Sequence, residues 1–176
     1  MTCAGLCLEF ADSSHDASDE LWQRIDSMTD GKEKDLLLMH ILKNAKNEEV
    51  CFCVFFATPN ESLQDLALMN ILAMTHSLTV AQKVQKYGSE CVQKFADMKF
   101  DLLSFKELNV SNITNTIRLS IARASHSLEC RRFALTEVLL HNPTFSEALS
   151  VYNHPDSTRL LIREAEVFMT CVTRDL

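Results

Sequence analysis

Apolar residues along this chain recur three and four positions apart and nowhere alternate for long, the spacing of helices with one buried face. The segment SDELWQRIDSM, from Ser18, sets Leu21, Trp22, Ile25 and Met28 on one side. It opens with Asp19 and Glu20, charges suited to the positive end of a helix. Gly31 reads as the left-handed residue that closes it. In KEKDLLLMHILKNA, Leu37, Leu38, Ile41 and Leu42 form a stripe that Leu36 and Met39 widen, as in a helix covered on more than one side.

EEVCFCVFFATPNE is harder. Val50 to Ala57 is too short and too evenly apolar for period alone to separate a buried strand from a buried helix. No other segment alternates well enough to pair with a strand, so the helix is expected. Thr58 then reads as the cap of the following helix, Pro59 as its first residue and Glu61 as its third, reaching back. SLQDLALMNILAM carries Leu63, Leu66, Ala67, Asn70, Ile71 and Met74 along a broad face.

LTVAQKVQKYG adds Leu78, Ala81, Val84 and Tyr87, with Gly88 where left-handed geometry is expected. Cys91, Val92 and Phe95 are expected inward on the next helix, which breaks near Lys99. Ile113, Ile117, Ile121 and Ala124 mark another helix, and Leu128, Phe133, Ala134, Val138 and Leu139 one that Pro143 ends. A short helix closed by the Asn153–Pro155 turn and a last one with Leu160, Leu161, Ala165, Phe168 and Met169 bring the count to eight to ten.

Composition agrees: 47% of the 176 residues are hydrophobic, and only 3 Gly and 3 Pro are present, too few for a turn-rich β-sandwich or barrel. At this length folding buries roughly 70% of the unfolded surface, so a core forms without staples. Residues 1–17 read as a loosely ordered lead-in or N-terminal cap, and 18–176 as one α-solenoid domain. The net charge of −7, without a dense basic cluster, argues against nucleic acid as a partner. No apolar stretch approaches the ~20 residues that span a bilayer. Seven scattered cysteines and a start without a basic signal region point to reduced thiols in the cytoplasm, with the nucleus as the alternative.

Chemistry is weakly marked. Cys51 and Cys53 have no companion pair at zinc spacing, and residues two apart on a helix point roughly 200° from each other, so core packing is the expectation. None of the six histidines has the spacing of a zinc hydrolase, and His76, His126 and His141 suit helix C-termini. No Gly-rich loop follows a strand, and the paired carboxylates read as solvated faces. No catalytic, metal or cofactor residue is therefore assigned. If the helices over 62–76 and 130–141 line a concave side, then Gln64, Asn70, Arg131, Arg132 and Glu137 are the candidate protein-binding residues.

Short amphipathic helices returning at about 40 residues are the mark of an armadillo/HEAT-like solenoid, so the expected class is all-α, with short helices stacked on their neighbours. PNESLQDLALMNILAMTHSLTVAQKVQKYGSECVQKF, preceded by ELWQRIDSM and followed by CRRFALTEVLLHNPTFSEALSVYNHPDSTRLLI, resembles the C-terminal repeats of the proteasome non-ATPase regulatory subunit five family. Trp22, Pro59, Leu63, Ala67, Leu68, Ala73, Ala81-Gln82-Lys83, Gly88, Val92, Leu135, Leu139 and the 153–155 turn with Arg159 and Leu160 carry the resemblance. It implies a non-enzymatic chaperone that holds a proteasomal ATPase subunit during assembly of the regulatory-particle base. The alternative is a generic armadillo/HEAT scaffold or adaptor segment with an unrelated protein partner. A free-standing binder is expected to be a monomer, whereas an uncapped solenoid end self-associates weakly.

Overall fold

The computed structural model describes residues 16–110 and 112–174, and side chains from residue 19 onward. The expected lead-in or cap over 1–17 lies almost wholly outside them, and helix α1 begins at Asp16. The described residues form ten helices and no strand. They are α1 (Asp16–Asp26), α2 (Lys32–Lys43), α3 (Glu48–Ala57), α4 (Glu61–Met74), α5 (Leu78–Tyr87), α6 (Glu90–Leu108), α7 (Asn115–Ala124), α8 (Leu128–Leu140), α9 (Phe145–Tyr152) and α10 (Arg159–Arg174). The chain divides into two compact units, Met1–Ala96 and Asp97–Leu176, with the boundary inside α6.

In the first unit α3 packs against α2 and α4, α4 also touches α2, and α5 packs on α4. Helices α3, α4 and α5 thus each meet the one before, and α4 also the one before that. The core gathers Trp22, Ile25, Leu38, Leu42, Val54, Leu68, Ile71 and Val84. The ambiguous run is a helix: the Asn47 side chain accepts from Val50 N at 3.0 Å to start it, and no strand stands among the described residues to pair with it. Cys51, Cys53, Val54, Phe55 and Ala57 are all buried, which places both cysteines in packing rather than on opposite exposed sides. Cys51 is a free thiol, and burial with Glu48 nearby pushes its pKa up to about 11.

The second unit repeats the pattern. Helices α7 and α8 pair, α9 packs on both, and α10 packs on α9 and α8. Its core includes Ile121, Ala122, Cys130, Ala134, Leu135, Val138, Ala148 and Val151.

Both units use the same three-residue linker. A buried Ser or Thr ends one helix, its hydroxyl accepts the backbone N–H two residues on, and that second residue caps the next helix. The linker is Thr58-Pro59-Asn60 between α3 and α4, Thr75-His76-Ser77 between α4 and α5, and Ser125-His126-Ser127 between α7 and α8. The hydroxyl bonds measure 3.1, 3.1 and 3.2 Å, and the three hydroxyl residues are 3%, 0% and 4% exposed. The hydroxyl residue of each corner is buried, so its polar groups are satisfied within the protein. The last two linkers belong to an internal repeat. Ile71, Leu72, Thr75, His76, Ser77 and Leu78 return fifty positions later as Ile121, Ala122, Ser125, His126, Ser127 and Leu128.

Five local expectations change. Asn60, not Thr58, caps α4: its side chain accepts from Ser62 N and Leu63 N, while the Thr58 hydroxyl is engaged with Asp35 and Asn60 N. Gly31 caps the start of α2 rather than the end of α1, with φ +157, a value that side-chain-bearing residues rarely adopt. Gly88 is not left-handed, at φ −79 and ψ 158; a Cβ there would lie 2.5 and 2.7 Å from the Val92 side chain, so the glycine serves close approach. Helix α6 has no break near Lys99, because Val92, Ala96, Phe100 and Leu103 continue one buried ridge through it. That ridge turns Cys91 and Phe95 outward, and in α7 Ile117 likewise faces out while Arg118, Leu119, Ile121 and Ala122 are buried.

Candidate functional site

In the first unit, two of the expected binding residues have their amides turned to the protein itself. Gln64 Nε2 donates to the carbonyls of Thr58 at 2.7 Å and Phe55 at 3.4 Å, and Asn70 Nδ2 donates to Leu42 O at 3.4 Å. Both finish the open carbonyl end of a neighbouring helix. Asp35 secures the same linker from α2, accepting from Thr58 Oγ1 at 2.8 Å and Asn60 Nδ2 at 2.9 Å; these bonds hold its carboxyl below the usual range.

In the second unit the side chains enclose a cleft of about 620 Å³. Its apolar floor is Leu119 and Ala122 from α7 and Leu149 from α9, and Arg123, Ser146, Ser150 and Asn153 line its sides. Arg131 and the His154-Pro155-Asp156 turn close one end. Local structure sets each wall. Asn142, at φ 45, and buried Pro143 lead the chain into α9. There Thr144 and Glu147 cap each other reciprocally: the Thr144 hydroxyl accepts from Glu147 N at 3.2 Å and Glu147 Oε2 accepts from Thr144 N at 2.8 Å.

The closed end is a polar knot. Arg131 Nε donates to Asp156 Oδ2 at 2.7 Å, and its Nη1 donates to Ser125 O at 2.9 Å, satisfying a carbonyl at the end of α7. Arg132 Nε donates to the Asp156 carbonyl at 3.2 Å. Asp156 is held below the usual carboxylate range by Arg131 first of all, with some help from His154 and Arg132. His154 Nδ1 accepts from Asp156 N at 3.2 Å, which leaves the proton of the neutral ring on Nε2, where it donates to Ala122 O at 3.1 Å. Asp101 completes the other side of the linker, accepting from Ser125 Oγ at 2.6 Å and His126 N at 3.0 Å.

Of the five expected residues, only Arg131 and Arg132 come together, at Asp156. Glu137 lies near the other end of α8, with a carboxylate oxygen 3.5 Å from His141 Nδ1. Gln64 and Asn70 belong to the first unit. Sequence reasoning did not assign a site role to Arg123, Leu149, Asn153, His154 or Asp156. The signal was present in Asn153-His154-Pro155-Asp156, a turn dense in hydrogen-bonding side chains, which had been read only as the end of a helix.

The arrangement offers guanidinium and amide donors beside an apolar floor, a surface that can bind but has no paired nucleophile and base. Among the described residues no group of three His, Cys, Asp or Glu could hold a metal ion, and no helix is long and apolar enough to cross a membrane. Comparison with family models, with curated proteins and with solved structures finds no match to this chain.

Proposed function

We propose that this chain is a non-enzymatic protein-binding module built from armadillo/HEAT-like helical repeats, and that the cleft between α7 and α9 is where it binds. The recurrence of one linker in both units supports the repeat reading, because identical corners between helices are what a stack of similar units requires. The contacts of α4, α9 and α10 with the two helices before each of them point the same way.

A narrower form rests on the resemblance to the proteasome non-ATPase regulatory subunit five family alone. In that form the partner is a proteasomal ATPase subunit, held during assembly of the regulatory-particle base, and the chain works in the cytoplasm or nucleus as a monomer. A generic scaffold or adaptor with another protein partner is the alternative. Immobilised chain incubated with cytosol separates them. Recovery of proteasomal ATPase subunits supports the chaperone, consistent recovery of other proteins without them supports the adaptor, and recovery of nothing above an unrelated helical protein contradicts the binding-module reading. Turnover of a small substrate by the pure chain would overturn the non-enzymatic assignment.

A further inference from the structure

We infer that the α7–α9 cleft takes an acidic segment of a partner protein, one that sets carboxylates on either side of an apolar residue. This rests on the binding-module reading above and adds the chemistry of the partner. The chain sorts its cations by type: every lysine lies at or before Lys106, and seven of the eight arginines lie at or beyond Arg118. Arg123 and Arg131 line the cleft, and Arg132, outside the lining, bonds the turn at its closed end. Arg123 donates its Nε to Leu119 O in its own helix at 3.2 Å, leaving both terminal amino groups to solvent. Arg132 likewise keeps both terminal amino groups after its Nε bonds Asp156 O, and Arg131 keeps one.

Anions do not balance them. Asp156 is the one carboxylate among the lining residues, and Arg131 already pairs with it. His154 has both ring nitrogens engaged within the protein. Glu147 on α9 is bound by Thr144 N and Asn115 Nδ2, and Glu137 on α8 lies against His141. Asp101 on α6 lies behind the lining residue Ser125, with its Oδ1 taken by Ser125 Oγ and His126 N, and Glu129 on α8 and Glu164 and Glu166 on α10 are exposed and outside the lining. A chain of net charge −7 therefore presents, here, an excess of guanidinium over carboxylate. Guanidinium forks match carboxylates geometrically, which a field of lysines would not do as well.

The floor selects the rest of the ligand. Leu119, Ala122 and Leu149 offer an apolar seat, and Phe145, Leu149 and Tyr152 extend an exposed apolar strip along α9, at 43%, 40% and 36% exposure. The Asn153 side-chain amide, at the edge, has no partner among the described residues and is free to bond a peptide backbone. A basic segment would meet Arg123 and Arg132 as like charges.

Fluorescence anisotropy with labelled glutamate–leucine peptides, and lysine–leucine peptides of the same length, tests this on the full chain. The glutamate–leucine peptide is expected to bind, the lysine–leucine peptide to fail, and the affinity to fall several-fold from low to physiological salt. R123E and R132E together should weaken binding about tenfold or more, in a chain whose circular-dichroism spectrum keeps the helix content of the parent. Equal binding of both peptides, or full affinity in the charge-reversed chain, overturns the inference. Capture of proteins from cytosol that survives the same charge reversal also overturns it while leaving the binding-module reading standing, so the two can fail separately.

Discussion

In both units a carboxylate holds the linker hydroxyl, Asp35 at Thr58 and Asp101 at Ser125, but the linker carbonyl is held in the first unit by the amide of Gln64 and in the second by a guanidinium, Arg131. The hydroxyl fastenings are alike and the carbonyl fastenings are not. The Gln64 amide closes the first corner within the protein, because its N–H groups are taken by the carbonyls of Thr58 and Phe55. A guanidinium has five N–H groups, so an arginine that fastens a corner still has donors to offer. The second unit thereby keeps the same geometry and gains a surface with unspent hydrogen-bonding capacity. The comparison extends into the core: by the fifty-residue repeat, Arg118 stands where the first unit has Leu68, and both are buried, at 2% and 0% exposure. Arg118 donates Nη1 to Asn115 Oδ1 at 2.9 Å, while its Nε has no partner.

The largest effect should come from that pair of positions. Leu68→Ala should lower stability by about 3–4 kcal/mol in chemical denaturation, through lost burial and the cavity left behind. Arg118→Met should leave stability unchanged or raise it by about 1 kcal/mol, since a desolvated, partly unsatisfied charge is replaced by apolar volume; a loss comparable to Leu68→Ala would show that the two positions are not equivalent. Next come the glycines. Gly88→Ala should cost about 2–3 kcal/mol by forcing a methyl into Val92, and adding Val92→Ala should recover part of it. Gly31→Ala should cost about 1 kcal/mol through backbone strain, with nothing within 4 Å to trim in compensation. Rescue at Gly88 and none at Gly31 is the expected contrast.

Smaller effects test the linkers. Thr75→Val and Ser125→Ala each leave a capping-residue N–H without its acceptor and should cost about 1 kcal/mol. The loss should be greater at Ser125, which also donates to Asp101. The smallest effect is acid sensitivity. Asp35 and Asp156 both titrate below their ordinary value of 3.8, so their contribution is complete above that value and is lost as pH falls through the lower folded value. Thermal melts should thus decline below about pH 4, less steeply in Asp35→Asn and in Asp156→Asn. A decline already complete at pH 5 would need another group.

Helices were legible along most of the chain because burial writes a three-to-four period into the apolar residues, and even the short run at Val50–Ala57 yielded to the absence of a pairing strand. Phase was less legible. In α6 the apolar residues Cys91, Val92, Phe95, Ala96, Met98 and Phe100 ring the helix, so period alone could not tell that Val92, Ala96 and Phe100 form the buried line. Gly88 was recognisable as special but not for the right cause, since a steric demand from Val92, a turn away, looks the same in sequence as a demand on φ. The candidate site was barely legible. Arg131 and Arg132 stood out as charges on an amphipathic helix, but Asp156, which brings them together, lies some 25 residues on in a turn. Gln64 and Asn70 looked free because the helix ends they finish belong to other helices.

The central claim, that this repeat module binds a protein through its second unit, is tested most directly by site-specific crosslinking. A photoreactive residue placed at Leu149, on the cleft floor, or at Leu66, an exposed position in the first unit, would be activated after incubation with cytosol. An adduct from position 149 and none from position 66 is the predicted result. An adduct from position 66 alone, or from neither position, would contradict it.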